Sequence, residues 1–220
     1  MTEMFFVGTG GVFSGDITGC IRIVRFEVIK YAGVMALSAS IFKATVRIDD
    51  MDRSHYGTYS LTLARHPSET DERMMVRLLA FMCYADERLS FTKGLSETDE
   101  PDLWMHDLQG QVALWIETGT PTLRRVVSAC RKAERVVVFA YGRSVMQWWR
   151  KNGADFGKMG NLDVVCLPEA LTDFMVARVH RTMQWQCLVQ DGQMIVMDEK
   201  DAFEWDLQGS IGPSACKADP

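Results

Sequence analysis

Asp102 and Glu117 are the residues whose type and spacing point most directly to chemistry. They sit at the ends of Pro101-Asp-Leu-Trp-Met-His-Asp-Leu-Gln-Gly-Gln-Val-Ala-Leu-Trp-Ile-Glu117, a run patterned as a β-hairpin. With Gln109-Gly110 as the central turn residues, Asp102 falls opposite Glu117. Like charges opposed across two strands repel. A hard divalent cation held by carboxylate oxygens, such as Mg²⁺, removes that repulsion. Such an ion lowers the pKa of bound water and offsets charge on a scissile phosphate. The plainer reading is a solvated hairpin face on which two acids fall by chance, because a turn one residue longer separates the faces differently.

Side-chain alternation then sorts the hairpin. Leu103, Met105, Val112, Leu114 and Ile116 form an apolar face, and Asp102, Trp104, His106, Ala113, Trp115 and Glu117 form the other. The elements around it read as alternating strands and helices. Ile41–Ile48 and Thr58–Leu63 form a hairpin across a turn-like Asp-Asp-Met-Asp-Arg run. Pro67-Ser68 opens a helix that runs to about Leu89, with Ser68 as its cap, acids in its first turn and an apolar stripe at Met74, Met75, Leu78, Leu79 and Met82. Leu89–Lys93 is a short strand ahead of the acidic hairpin.

Thr120-Pro121 starts the next helix, with Leu123, Val126, Val127 and Cys130 inward and Arg124, Arg125, Ser128, Arg131 and Lys132 outward. Arg135–Tyr141 and Leu162–Leu167 are β-branched runs typical of strands buried on both faces, separated by a helix from Ser144 to Lys151. A further helix spans Pro168–Val179, and Asp191-Gly192 joins Met183–Val189 to Gln193–Met197 as a terminal hairpin. The predicted fold class is α/β, a single layered domain with a mixed β-sheet flanked by helices. The Gly/Pro/Ser-rich tail after Gly209 reads as mobile.

Composition bounds the function. The chain has 220 residues, 47% of them hydrophobic, enough to bury one substantial core. No apolar run is long enough to span a membrane. The six cysteines are scattered without a Cys-x-x-Cys pair, which signals neither a zinc knuckle nor a disulfide framework and makes the cytoplasm the expected location. The net charge of −5 hides an asymmetry: residues 122–160 carry nine Lys and Arg against two acids, a net of +7 between acidic flanks. That segment could meet nucleic-acid phosphates, although solvated helix faces are the commoner origin of such clusters. Overall acidity argues against avid non-specific duplex binding.

Residues 1–34 are patterned differently, with Gly8-Thr-Gly-Gly11 but no strand–helix frame around it. They are read as an N-terminal extension of doubtful order or start-site origin, ahead of a domain over residues 35–220, and acids at Glu3 and Asp16 argue against a secretory signal. His66 and His106 lack partners at metal-ligand spacing. Trp104, Trp115 and the Trp148-Trp149 pair could stack on bases, but packing is their ordinary role.

The run Leu61-Thr-Leu-Ala-Arg-His-Pro-Ser-Glu-Thr-Asp-Glu-Arg-Met-Met75 resembles the YaeQ family. So do Tyr84-Ala-Asp-Glu-Arg-Leu89, Asp99-Glu-Pro-Asp102, Leu114-Trp-Ile-Glu-Thr-Gly-Thr-Pro121 and Gln190-Asp-Gly192. The likeness runs from about Met35 to about Leu207. It implies a PD-(D/E)xK, restriction-endonuclease-like core, in which Asp102 and Glu117 hold Mg²⁺ and Glu72 on the preceding helix adds a direct or water-mediated contact. The resemblance also calls for a lysine two residues past the Glu, where this chain has Gly119. Arg125 and Lys132 are the expected substitutes, with Lys93 a weaker one; arginine stays protonated but can hold a phosphate bidentately. Two functions are therefore expected. One is a Mg²⁺-dependent nuclease acting on nucleic-acid phosphodiesters. The other is a non-catalytic module that binds nucleic acid or a protein partner on a nuclease-like scaffold.

Overall fold

A computed structural model describes residues 39–92, 99–208 and 210. The expectations for residues 1–34, for the tail beyond residue 210 and for Lys93 lie outside the described residues. Strands β1 (Ser40–Asp50) and β2 (His55–Arg65) pair antiparallel from Ser40 with Arg65 to Asp50 with His55. The turn between them closes on Asp50, whose carboxylate accepts from Arg53 N at 2.9 Å and Arg53 Nε at 2.6 Å. Phe42, Ala44, Val46 and Ile48 are buried at alternate positions of β1, the period-2 pattern of a strand with one face on a core.

Helix α1 (Asp71–Cys83) is buried from Met74 to Cys83 on every side. A helix apolar all round belongs inside a domain, and α1 lies within the main core. Its cap is Thr70, whose hydroxyl accepts from Arg73 N at 3.1 Å, and its last residue is Cys83. The expected Ser68 cap is thus displaced by two residues. Ser68 instead bonds His66 Nδ1 at 2.6 Å, which ties both side chains into the turn before the helix. The helix also stops earlier than Leu89, because Asp86 and Arg88 form a local turn ahead of the next strand.

The remaining elements are β3 (Ser90–Phe91), β4 (Leu103–His106), β5 (Val112–Thr118), α2 (Leu123–Lys132), β6 (Ala133–Ala140), α3 (Val145–Phe156), β7 (Leu162–Cys166), α4 (Glu169–Val176), β8 (Thr182–Gln190), β9 (Gln193–Met197) and β10 (Ala202–Asp206). The α/β reading holds, with the strands divided between two mixed sheets: β10-β9-β8-β1-β2 and β3-β4-β5-β6-β7. Hydrophobic periodicity does not specify that division, since both sheets press one face on the same core. In the second sheet β4 runs antiparallel to β5, and helical crossovers through α2 and α3 make β5, β6 and β7 parallel. Strand β10 was not anticipated from the sequence.

Alternation in the second sheet assigns its two faces. Leu103, Leu114, Ile116, Val137 and Phe139 join the core that contains α1. Val138, Ala140 and Val164 pack against Val126 of α2 and Trp148 of α3, and Trp115 packs on Ala129. Helices α1 and α2 therefore cover opposite faces. The hairpin face carrying Trp115 and Glu117 is not solvated but lies under α2. Among the described residues no helix is long and apolar enough to cross a membrane. Cys83, Cys130 and Cys187 are free thiols, whereas Cys166 is disulfide-bonded, which the scattered cysteine spacing did not signal.

Candidate functional site: an acid pair capped by two arginines

The hairpin keeps the predicted register where it matters. Leu103 pairs with Ile116 and Trp104 with Trp115, and Asp102 N donates to Ile116 O at 2.9 Å. The turn is wider than two residues. Asp107 Oδ1 accepts from Gln109 N at 2.9 Å and Gln111 N at 2.8 Å, and Gly110 takes φ +82°. A bulge between Met105 and His106 absorbs the one extra residue, so the strands beyond it regain the expected alignment. Val112, at the bulged end, packs with Trp115 rather than with Leu114.

Asp102 is 1% exposed and Glu117 3% exposed. Every Asp102 oxygen is engaged: Oδ1 accepts from Arg73 Nη2 at 2.6 Å, and Oδ2 accepts from Thr118 N and Thr118 Oγ1, both at 2.8 Å. Glu117 Oε1 accepts from Trp115 Nε1 at 2.7 Å and pairs with Arg125 Nη2 at 2.8 Å. Arg73 comes from α1 and Arg125 from α2, so each acid is tied to a cation carried by a helix on a different face of the sheet. The acids are neighbours in register, but their charge is already balanced by protein.

The donor set tests the metal expectation directly. Mg²⁺ requires near-octahedral oxygen coordination and several open positions. Asp102 offers none without losing Arg73 or Thr118, and no group of three His, Cys, Asp or Glu able to hold a metal occurs among the described residues. In the arrangement seen, these residues do not fit a divalent cation. Glu72 stands one residue before Arg73 and is close enough to Tyr141 to raise its pKa, but it makes no hydrogen bond to either acid.

Position 119 explains the missing lysine. Gly119 takes φ +91°, a left-handed conformation that strains any L side chain. A Cβ built there would lie 3.9 Å from both Arg73 Nη1 and Tyr141 Cε1. The cation beside this position therefore comes from α1. Arg73 was not among the sequence candidates, although one signal was available: a cation in the first helical turn opposes the helix dipole and calls for a specific partner. Burial works against the Arg73 charge, but the Asp102 carboxylate outweighs it, so the net shift of the guanidinium is upward. Tyr141 is pushed up to about 12, chiefly by burial, and keeps its phenolic proton.

Arg125 and Lys132, the expected substitutes, are brought together on α2. They line a groove of about 310 Å³ with Asp99, Thr122, Arg124, Ser128 and Trp115. Lys132 Nζ stands 5.7 Å from the centre of the Trp115 ring, and Arg125 Nη2 also donates to Glu100 O at 2.7 Å. The α2 cap is Thr122, two residues past the expected start, and Pro121 O instead receives the Trp148 indole proton at 2.7 Å. Trp148 and Trp149 pack with Phe156, and Trp115 and Trp148 are buried while Trp149 is half-buried. Trp104 meets His106 edge to face, with ring centres 4.7 Å apart.

The sequence model of the YaeQ protein family matches residues 35–207. The chain belongs to the YaeQ family. It is 45% identical over 181 residues to the uncharacterized protein YaeQ of Escherichia coli (strain K12), covering 82% of this chain and 100% of that one. The Salmonella typhi YaeQ is 43% identical over the same shares. The crystal structure of YaeQ from Xanthomonas axonopodis pv. citri superposes with a TM-score of 0.74 at 42% identity, over 77% of this chain and 96% of that one. The Pseudomonas syringae YaeQ structure gives 0.72 at 34% identity, over 76% and 92%.

The Asp102–Glu117 pair carries a pH signature. Burial pushes the Glu117 carboxyl above its ordinary value, Arg125 and Trp115 pull it down, Asp102 raises it again, and the net shift is upward. A raised carboxyl pKa means the folded state holds the proton more tightly than the unfolded chain. Its stabilising contribution is present at low pH and is lost as pH rises from the ordinary glutamate range through the raised folded value. Urea unfolding of wild type and Glu117→Gln across that window should show the wild type losing stability relative to the variant as pH increases. The opposite slope would mean that the Arg125 pair outweighs burial.

Proposed function

We propose that this YaeQ-family protein binds nucleic-acid phosphodiesters along the basic face of α2 and does so without a metal. The observation carrying the proposal is the α2 groove. It gathers Arg124, Arg125 and Lys132 with two hydroxyl side chains beside a charge-balanced acid pair, on a chain of net charge −5. Among the described residues no carboxylate pairs with Arg124 or Lys132, while Arg125 is anchored to Glu117 and fixes the groove wall. Positive side chains that no described carboxylate neutralises, on an otherwise acidic chain, favour local phosphate contacts over general polyanion binding. Hydroxyls at Thr122 and Ser128 supply further donors of the kind that position a phosphate.

Metal-dependent phosphodiester hydrolysis is the second reading, favoured by the Asp102–Glu117 register. It requires Arg73 to leave Asp102. Fluorescence anisotropy with single-stranded DNA, single-stranded RNA and duplex over a salt series tests the binding proposal. Affinity should fall with salt, and the Arg124→Ala/Lys132→Ala double variant should flatten the log–log salt slope by about 2, roughly one unit per lost phosphate contact. A slope unchanged by the double variant would remove α2 as the interface.

A further inference from the structure

A second recess lies at the other end of α1 from the acid pair. Arg73 is in the first turn of the helix, and Tyr84 is its C-cap residue. A helix of this length separates the two ends by about 16–20 Å. Two hollows of about 360 Å³ and about 220 Å³ meet there and share Arg53, Tyr84 and Arg135. Val189 and Leu207 supply apolar wall to the larger hollow, and Met105 and Leu114 to the smaller. The larger is within the size range of small-molecule sites, which combine apolar walls with a few convergent polar groups.

Among the described residues the three shared side chains hold donors with no acceptor. Arg53 uses Nε on Asp50, and no described residue takes its terminal nitrogens. Arg135 uses Nε and Nη2 on Asp163, which leaves Nη1. The Tyr84 hydroxyl makes no hydrogen bond to a described residue, and burial pushes its pKa up to about 12 even though both guanidiniums act to lower it. It therefore stays protonated and can donate. Nearby acids are committed elsewhere. Asp50 holds Arg53, Asp52 accepts from Asp191 N at 2.8 Å and Gly192 N at 2.9 Å, and Asp86 holds Arg88. Arg135 already lies over the Tyr84 ring, 5.4 Å from its centre, a stack that a planar ligand could extend.

We infer that this recess binds a small aromatic anion, with its anionic oxygens on Arg53, Arg135 and the Tyr84 hydroxyl and its ring against the apolar wall. The site is independent of the α2 groove and of the nucleic-acid proposal. Calorimetry at fixed ionic strength, with adenosine monophosphate, benzoate and inorganic phosphate as probes, tests it on the full chain. At least one of the two aromatic probes should bind saturably with one-to-one stoichiometry, and inorganic phosphate should bind at least about tenfold more weakly than that probe. Which aromatic probe binds better distinguishes a nucleotide from a carboxylate ligand. Arg135→Gln should weaken binding about tenfold and Tyr84→Phe several-fold, the scale of a hydrogen bond to a charged group. Thermal unfolding of both variants checks that they are folded. Absence of saturable binding by both aromatic probes, equal binding of inorganic phosphate, or indifference to both substitutions would overturn the inference. Loss of binding in Arg124→Ala/Lys132→Ala would do so too, because it would place the probe in the α2 groove.

Discussion

Glu69→Ala should lower the free energy of unfolding by about 3–5 kcal/mol, the scale of breaking a buried ion pair from one side. Glu69 and Arg77 have side chains only 3% exposed, and they meet through two bonds, Nε to Oε1 at 2.8 Å and Nη2 to Oε2 at 2.9 Å. Arg77 Nη2 also donates to Ala64 O at 3.0 Å. Removing the glutamate leaves a guanidinium inside α1 with one carbonyl for a partner and no water to replace the other. The loss is an uncompensated charge rather than a missing attraction. The double variant Glu69→Leu/Arg77→Met should therefore recover most of the stability that the single variant loses. Urea unfolding measures both, with the midpoint shifting and the m-value unchanged. A single-variant loss below about 1 kcal/mol, ordinary for surface pairs, would show that water reaches Arg77. The pair also fastens the segment before α1 to the helix, and that segment ends in Thr70, whose hydroxyl caps the turn carrying Arg73.

Titrated with millimolar Mg²⁺ or Mn²⁺, the wild-type protein should give no saturable heat. Two guanidiniums already balance the two carboxylates, and Asp102 has no free oxygen. Arg73→Ala is the informative variant. It releases Asp102 Oδ1 and leaves a net negative charge where Arg73 stood, so divalent-ion affinity should appear in the variant and not in its parent. The gain should vanish in Arg73→Ala/Asp102→Asn. Saturable binding by the wild type, lost in both Asp102→Ala and Glu117→Ala, would reverse the conclusion. Arg73 would then be a cation that steps aside for the metal, and hydrolysis would return as the leading function.

The sequence made some features legible for identifiable physical reasons. The Asp102–Glu117 register could be read because alternation over Leu103–Met105 and Leu114–Ile116 leaves few ways to bury both strands, and the bulge at His106 compensates for a wider turn. Helix starts were placed two residues early at both α1 and α2, because several Ser, Thr and Pro residues compete for each cap and only tertiary packing chooses among them. The face carrying Trp115 reads as polar from its Glu and His, yet α2 covers it, and a crossover helix leaves no trace in a strand's own pattern. The Arg73–Asp102 bond spans 29 residues of sequence, and no local periodicity reports a contact of that range. Gly119 was noticed as an absent lysine, whereas its left-handed backbone is what forbids one.

The first sheet joins sequence neighbours to a distant segment. Strand β1 takes β2 on one side within a tight hairpin, but on the other it is parallel to β8, with Lys43 beside Thr182 and Asp50 beside Val189. During synthesis the β1–β2 ribbon can form early, while its inner edge stays bare until residues 182–190 have left the ribosome. Closing so long a loop is slow relative to local pairing. For that interval the nascent chain exposes a ready template for wrong strand partners, and the completed protein seals it.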